Sequence, residues 1–230
     1  MAFQRILAMT EAEIRNLSAP PSAFALLGCY FSPEKSCLVG LPDSLPSGCG
    51  LVIDDRNAIF DLGVIEALKK LEPAYVILDF QRPPEDSSVK TAAVLAQSLR
   101  QVIIPPPYAD ALDCPLFLPP LPPHTPISEY LKPWQGREIW LELALDASEI
   151  TVTPKGTEIC CFHHAMPSDD SHRDSMLHCH YKISQRTDAL QFYCYRTQED
   201  IEAMLRTPLP PNLTHAVGLF QELGGELLIV

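Results

Sequence analysis

At 230 residues the chain can bury a large α/β core, and its 47% apolar and 20% charged residues are typical of a globular protein. The net charge of −12 argues against nucleic acid and anionic membranes as partners, since both attract basic surfaces. The first residues include Glu11 and Glu13, and no run approaches the roughly 20 apolar residues of a membrane-spanning helix. We therefore expect a soluble, cytoplasmic protein whose eight cysteines are reduced.

Helix-like and strand-like segments alternate from residue 10 to residue 145. Thr10, followed by Glu11 and Glu13, predicts a helix that ends before Pro20. Buried strands are predicted at 24–30, 51–56, 74–79, 102–104, 114–118 and 138–145, with helices at 62–71, 89–99 and 127–131. Alternation with a period of about 25 residues predicts parallel strands joined by right-handed crossovers.

The pattern changes after residue 146. A hairpin is predicted over 150–162 and a third β segment over 177–183, so 147–184 is interpreted as a β-insertion. Alternation then resumes with a strand at 189–195, a helix from Thr197 to Arg206 and a strand at 216–220.

Eight parallel strands are therefore predicted, near residues 26, 52, 77, 103, 117, 141, 192 and 218. Eight strands fit a compact (β/α)8 barrel, partly degenerate because some helices are short or missing, with the β-insertion after strand six. Residues 1–230 would form one α/β domain. In it, the N-terminal helix would cover the gap left by the absent last helix of the barrel. An open, doubly wound sheet is the alternative fold.

The segment 74–83 is the clearest indication of a site. Its unbroken apolar run opens into Asp79, Gln81 and Arg82, as a buried parallel strand does at its carboxyl end, where ligands bind in such folds. Side chains alternate along a strand, so Ile77, Asp79 and Gln81 are expected to share the inward face. Other strand-end residues predicted at the same mouth are Asp54, Asp55, Glu142, Asp146 and Glu222.

This segment resembles the family-18, chitinase-like glycoside hydrolases, whose barrels carry Asp-x-x-Asp-x-Asp-x-Glu along one strand. Ala74, Ile77, Asp79 and Gln81 occupy the four motif positions, and Phe80 stands where an aromatic residue is common. In that family the final glutamate protonates the glycosidic oxygen, a step that the amide of Gln81 cannot perform. The resemblance thus implies a barrel that binds a saccharide or another polyhydroxylated molecule and is catalytically impaired as a hydrolase.

If hydrolysis survives, two other carboxyl groups about 5–10 Å apart must supply it. Asp79 paired with Glu142 or Glu222 is the combination we predict. The alternative is structural, because strand-end acids often cap the next helix, and Asp54 and Asp55 could instead pair with Arg56.

A second hypothesis concerns the β-insertion. If it forms an antiparallel ribbon, Cys161 and His163 share one face, as do His178 and His180, and together they are a ligand set that zinc accepts. His164 and His172 are possible substitutes, and solvated ribbon histidines are the alternative. No other cofactor is expected from the sequence. This set would make the protein a metal-dependent hydrolase or metal-binding module, and a third hypothesis is a structural or interaction protein without a small-molecule site.

Overall fold

The computed structural model describes residues 3–17, 21–32, 37–55, 64–163 and 168–223. The strands are β1 (Gln4–Met9), β2 (Phe24–Phe31), β3 (Leu38–Val39), β4 (Gly50–Asp54), β5 (Val76–Asp79), β6 (Val102–Ile103), β7 (Leu116–Leu118), β8 (Ile139–Leu143), β9 (Ala147–Thr153), β10 (Gly156–Phe162), β11 (His172–Asp174), β12 (Cys179–Gln185), β13 (Leu190–Tyr195) and β14 (Leu213–Leu219). The α-helices are α1 (Glu11–Asn16), α2 (Val64–Leu71), α3 (Asp86–Ser98), α4 (Ile127–Leu131), α5 (Gln198–Leu205) and α6 (Phe220–Leu223).

The strands β1, β2, β4, β5, β6, β7, β8 and β14 form a nearly closed parallel barrel. Seven neighbouring pairs are hydrogen-bonded in the order β6-β5-β4-β2-β1-β14-β8-β7. A parallel bridge between Ile104 and Leu116 joins the two ends, where the Phe117 N–H donates to the Ile104 carbonyl over 2.8 Å. The predicted barrel with an antiparallel insertion is confirmed, and the bridge argues against the open sheet.

Alternation of side chains along the strands separates two apolar layers. Val76 and Leu78 belong to the large cluster between the strands and the helices, whereas Ile77 belongs to a smaller cluster inside the barrel. The inner cluster contains Ile6, Ala8, Ala25, Val52, Tyr75, Ile77, Ile103, Phe117, Trp140 and Val217. Every barrel strand contributes to this interior, which is a packed core.

The first correction concerns the strand β1. It lies between β2 and β14 in the barrel, although the sequence analysis predicted only a helix in this part of the chain. Its apolar run is four residues long, Ile6–Met9, too short for periodicity to distinguish strand from helix. The predicted helix follows at once as α1, whose start is fixed by a reciprocal capping box between Thr10 and Glu13.

The second correction concerns β13, which was predicted as a barrel strand. It pairs antiparallel with β9 and β12 inside a five-stranded sheet of order β10-β9-β13-β12-β11. The prediction relied on the helix that follows, but β13 is half-exposed over its first four residues and includes Gln191. The antiparallel sheet therefore covers residues 147–195 and follows the seventh barrel strand, β8, instead of the sixth.

The helical layer is reduced, as the sequence predicts. The helices α2 and α3 follow β4 and β5, and α5 precedes β14, while a 3-10 turn at Pro106–Tyr108 stands between β6 and β7. The helix α2 packs Val64, Ile65 and Leu68 against the barrel. Within the described ranges, no helix has the length and apolarity needed to cross a lipid bilayer.

Candidate site at the carboxyl end of the barrel

Asp79 ends β5 on the inward side of the barrel. Ile77, two residues earlier, belongs to the inner cluster, whereas the neighbouring Phe80 packs in the outer one. The carboxylate of Asp79 is half-buried and accepts a hydrogen bond from the side-chain amide of Gln81. Asp54 of β4 is in direct register with Asp79, so two acids stand side by side at this rim.

Glu142 lies on β8, two residues after the interior Trp140, and so occupies the same inward face. Burial, followed by the negative charges of Asp79, Asp146 and Glu222, raises the pKa of Glu142 to about 8. At neutral pH the carboxyl group of Glu142 is therefore mostly protonated.

Glu222 reaches this group from α6. Its Oε2 accepts a hydrogen bond from the Leu145 N–H over 3.2 Å, and its backbone carbonyl accepts one from the Gln198 side chain over 2.7 Å. These bonds fix Glu222 beside the chain that leaves β8. Asp146 follows in that chain and contacts the Nδ1 atom of His163, 3.1 Å away, so the antiparallel sheet is tied to the rim.

Asp55 differs from the other acids because it is only 1% exposed. Its two oxygens accept hydrogen bonds from the backbone N–H groups of Gln81 and Arg82, over 2.9 and 3.3 Å. The Nε of Arg82 also lies 3.6 Å from the carboxylate. Asp55 and Arg82 therefore hold the loop after β5, whereas the ion-pair partner predicted for Asp55 was Arg56. Arg56 lies outside the described residues.

The predicted zinc ligands do not converge. Cys161 lies on β10 and His180 on β12, and these strands are separated by β9 and β13. Three inter-strand steps of about 4.8 Å put their backbones roughly 14 Å apart. Among the residues that the structure describes, no group of three His, Cys, Asp or Glu side chains could hold a metal ion.

The other two histidines of that set have separate environments. His163 is 84% exposed and contacts Asp146. His178 precedes β12 with a φ of 47°, and burial together with Arg173 and Arg196 lowers its pKa. The prediction assumed that the two ribbon segments were neighbours, and the intervening strands overturn it. His172 lies on the edge strand β11 against Tyr181, and His164 lies outside the described residues.

Two further residues at this end were missed by the sequence analysis. Tyr130 of α4 donates its hydroxyl to the Pro119 carbonyl over 2.8 Å, and burial and then Glu142 raise its pKa to about 12. Arg196 is buried and donates to backbone carbonyls on both sides of the boundary between the insertion and a proline-rich loop. Its acceptors are Leu121, Pro122, Pro123, Leu177 and His178. Arg196 thus clamps the insertion to the loop, a role that no local sequence motif indicates.

The opposite, amino-terminal end of the barrel holds a cavity of about 530 Å³. There the ring of His215 stacks on Trp140 at 3.8 Å, and the Trp140 indole N–H donates to Glu138 over 3.0 Å. The hydroxyl of Tyr75 donates to the Phe24 carbonyl over 2.9 Å. The Trp140 and Tyr75 donors both have acceptors within the protein, which is typical of a structural closing layer.

Comparison with known proteins gives a likeness in fold only. No family model and no curated protein matches the chain. The spore cortex-lytic enzyme SleL of Bacillus cereus superposes with a TM-score of 0.52 at 9% identity, over 94% of this chain and 70% of that one. The C-terminal domain of a presumed chitinase from Desulfitobacterium hafniense gives 0.51 at 12%, over 99% and 98%. A chitinase from Chromobacterium violaceum gives 0.50 at 8%, over 94% and 93%.

The chain therefore has a chitinase-like, glycoside-hydrolase-like barrel fold. This supports the architecture implied by the resemblance around Asp79. At such identities the likeness carries no activity or substrate across.

Proposed function

We propose that the carboxyl-end mouth of this barrel binds a saccharide or a related polyhydroxylated molecule. The observation that carries the proposal is the placement of Asp79 and Glu142 on inward faces of β5 and β8, with Glu222 bonded to the Leu145 N–H just after β8. Burial and the nearby acids also raise the pKa of Glu142 to about 8, which favours its protonated form at neutral pH. Carboxylates accept hydrogen bonds from hydroxyl groups, and the protonated carboxyl adds a donor. The similar folds of spore cortex-lytic enzymes and chitinases support the same ligand class.

The residue at the family's acid position argues for impaired hydrolysis. Gln81 carries an amide, which has no proton to give a leaving group, and this amide is bonded to Asp79. A barrel that retains the fold and the inward aspartate but lacks the acid is expected to bind sugars without cleaving them efficiently.

A second candidate is slow hydrolysis with Glu142 as the acid. A pKa of about 8 keeps this carboxyl protonated at neutral pH, the property of a general acid. Asp79 on β5 or Glu222 on α6 would then serve as the second carboxyl group. Hydrolysis needs two carboxyl groups about 5–10 Å apart. A pair with that spacing favours catalysis, and any other spacing favours binding alone.

Binding is tested by calorimetry of the purified protein with chitin oligosaccharides and peptidoglycan fragments. We expect saturable binding that weakens at least tenfold in Asp79→Asn and in Glu142→Gln. The matched control is Glu66→Gln, an exposed acid on α2 that pairs with Lys69. If no saccharide binds, or if all three variants bind equally, the mouth is not the site and an interaction protein is favoured.

Hydrolysis is tested with chromogenic chitin oligosaccharides on the native protein and on Gln81→Glu. Turnover that appears only in Gln81→Glu supports an impaired hydrolase. Turnover in the native protein that disappears in Glu142→Gln supports the second candidate. Absence of turnover in both, with binding intact, supports pure recognition.

A further inference from the structure

A cluster of Ser171, His180, Tyr195 and Asp200 lies where the antiparallel sheet meets α5. The Ser171 Oγ lies 3.2 Å from His180 Nδ1 and 2.9 Å from the Tyr195 hydroxyl. On the other side of the imidazole ring, His180 Nε2 lies 3.4 Å from Asp200 Oδ2. A hydroxyl, an imidazole and a carboxylate therefore stand in series, an arrangement that activates a serine nucleophile.

The carboxylate of Asp200 is fixed before anything binds. The residue is 0% exposed, and its Oδ2 accepts hydrogen bonds from the N–H and hydroxyl of Thr197, over 3.1 and 2.9 Å. The Nε of Arg173 donates to the other oxygen over 3.0 Å, which balances the buried charge. Such an anchored anion favours a proton on His180 Nε2 and leaves Nδ1 as the acceptor that faces Ser171.

The serine end of the series is open to solvent. Ser171 is half-buried, and the side chain of His180 is 28% exposed. The Tyr195 ring stacks on the imidazole with centroids 5.3 Å apart, and its hydroxyl gives the Ser171 oxygen a second hydrogen-bonding partner. The Tyr195 hydroxyl also donates to the Ser168 carbonyl over 3.4 Å, so the tyrosine positions Ser171 beside His180.

We propose that Ser171 is a nucleophile for acyl esters, in a catalytic centre separate from the barrel mouth. Its oxygen bonds to the ester carbonyl carbon while its proton passes to His180 Nδ1. The bond to the alcohol oxygen then breaks, and that oxygen takes the proton from His180. Water repeats the sequence on the acyl-serine, which releases the carboxylic acid and restores Ser171. Asp200 stabilises the imidazolium at each transfer.

The test is covalent labelling with a fluorophosphonate, followed by peptide mass mapping. We expect an adduct on Ser171 of the native protein, none in Ser171→Ala, and a rate at least tenfold lower in His180→Gln. Ser184→Ala is the control serine, since Ser184 lies on β12 and bonds Gln191 instead of a histidine. His172→Gln is the control histidine, on β11 beside Tyr181. Both controls should label at the native rate.

A structural role for the cluster predicts a different outcome. In that case Ser171→Ala and His180→Gln lower the melting temperature, but the native protein gives no adduct, or an adduct at the same rate in His180→Gln. Either result overturns the proposal. Because His180→Gln could disturb the sheet, Ser171→Cys provides a second measure. Its new thiol should be alkylated at least tenfold faster than the exposed Cys160 and Cys161, and an equal rate contradicts activation.

Discussion

The side-chain amide of Gln81 donates a hydrogen bond to the carboxylate of Asp79 at the inner rim of the barrel. Asp79 in turn contributes to the raised pKa of Glu142 across the mouth. The amide therefore stabilises a negative charge that keeps another carboxyl protonated. The charge state of the rim therefore depends on Gln81, the residue that stands where the chitinase-like motif has a glutamate.

Gln81→Glu should destabilise the protein by about 1 kcal/mol above pH 6, because it replaces a donor by a second carboxyl group beside Asp79. At about pH 3, below the ordinary pKa of Asp and Glu side chains, the loss should be much smaller. Urea unfolding at the two pH values measures it. Gln191→Glu is the matched control, since Gln191 donates to Glu149 over 3.2 Å in the antiparallel sheet. It should show the same pH-dependent loss without any effect on saccharide binding, and weaker saccharide binding in Gln191→Glu would contradict the location of the site.

The buried Glu142 predicts a loss of stability at alkaline pH. Its folded-state pKa of about 8 lies above the value of an unfolded glutamate, so the folded protein holds a proton that the unfolded chain releases. The free energy of unfolding should therefore fall between about pH 4.5 and 8, by a few kcal/mol at most. Glu142→Gln, uncharged at every pH, should gain stability relative to the native protein as the pH rises.

The measurement is urea unfolding of both proteins at pH 5, 6.5 and 8. Glu129→Gln, an exposed acid on α4, is the control and should follow the native curve. Parallel curves for the native protein and Glu142→Gln would show that Glu142 carries its charge in the folded state.

The sequence predicts the structure best where the residues of a single strand are enough to show that the strand is buried. The unbroken apolar run before Asp79 predicts a buried strand, and alternation along it puts Ile77 inside and Asp79 at the rim. It fails where the environment is set by distant partners. β1 is a barrel strand because β2 and β14 flank it, and β13 joins the insertion because β9 and β12 do. Neither pairing is encoded within the segment itself.

The same limit explains the site. The acids at strand ends could be named from sequence because every parallel strand delivers its last residues to one end of the barrel. The zinc set required the register between β10 and β12, which two intervening strands abolish. Arg196 contacts a loop about 75 residues earlier in the chain, and His180 contacts Asp200 on a different element. No local sequence pattern predicts either contact.

Asp55→Asn should cost about 2–3 kcal/mol of unfolding free energy. The change removes one of two acceptor oxygens that hold the backbone of Gln81 and Arg82, and it leaves the guanidinium of Arg82 without its buried anion. Asp113→Asn is the control, because Asp113 is fully exposed and lies 3.8 Å from Arg137. A loss below about 0.5 kcal/mol in Asp55→Asn would contradict the loop-holding role.

Arg196→Lys tests whether the insertion is held to the barrel by one buried side chain. A guanidinium offers N–H donors spread over a planar fork, and here its Nε and Nη1 atoms each donate to one backbone carbonyl and its Nη2 atom faces three, whereas an ammonium offers three donors at one point. At least two buried carbonyls would lose their donors, so unfolding by urea should show a loss of about 2–4 kcal/mol.

Arg206→Lys is the matched control for that change. Arg206 is exposed at the end of α5 and pairs with Glu202 over 2.7 Å, so its replacement should cost less than about 0.5 kcal/mol. Hydrogen exchange measured on both variants should show faster exchange in β12 and β13 only for Arg196→Lys. Exchange that stays at the native rate there would mean that the strand pairing, and not Arg196, fixes the insertion.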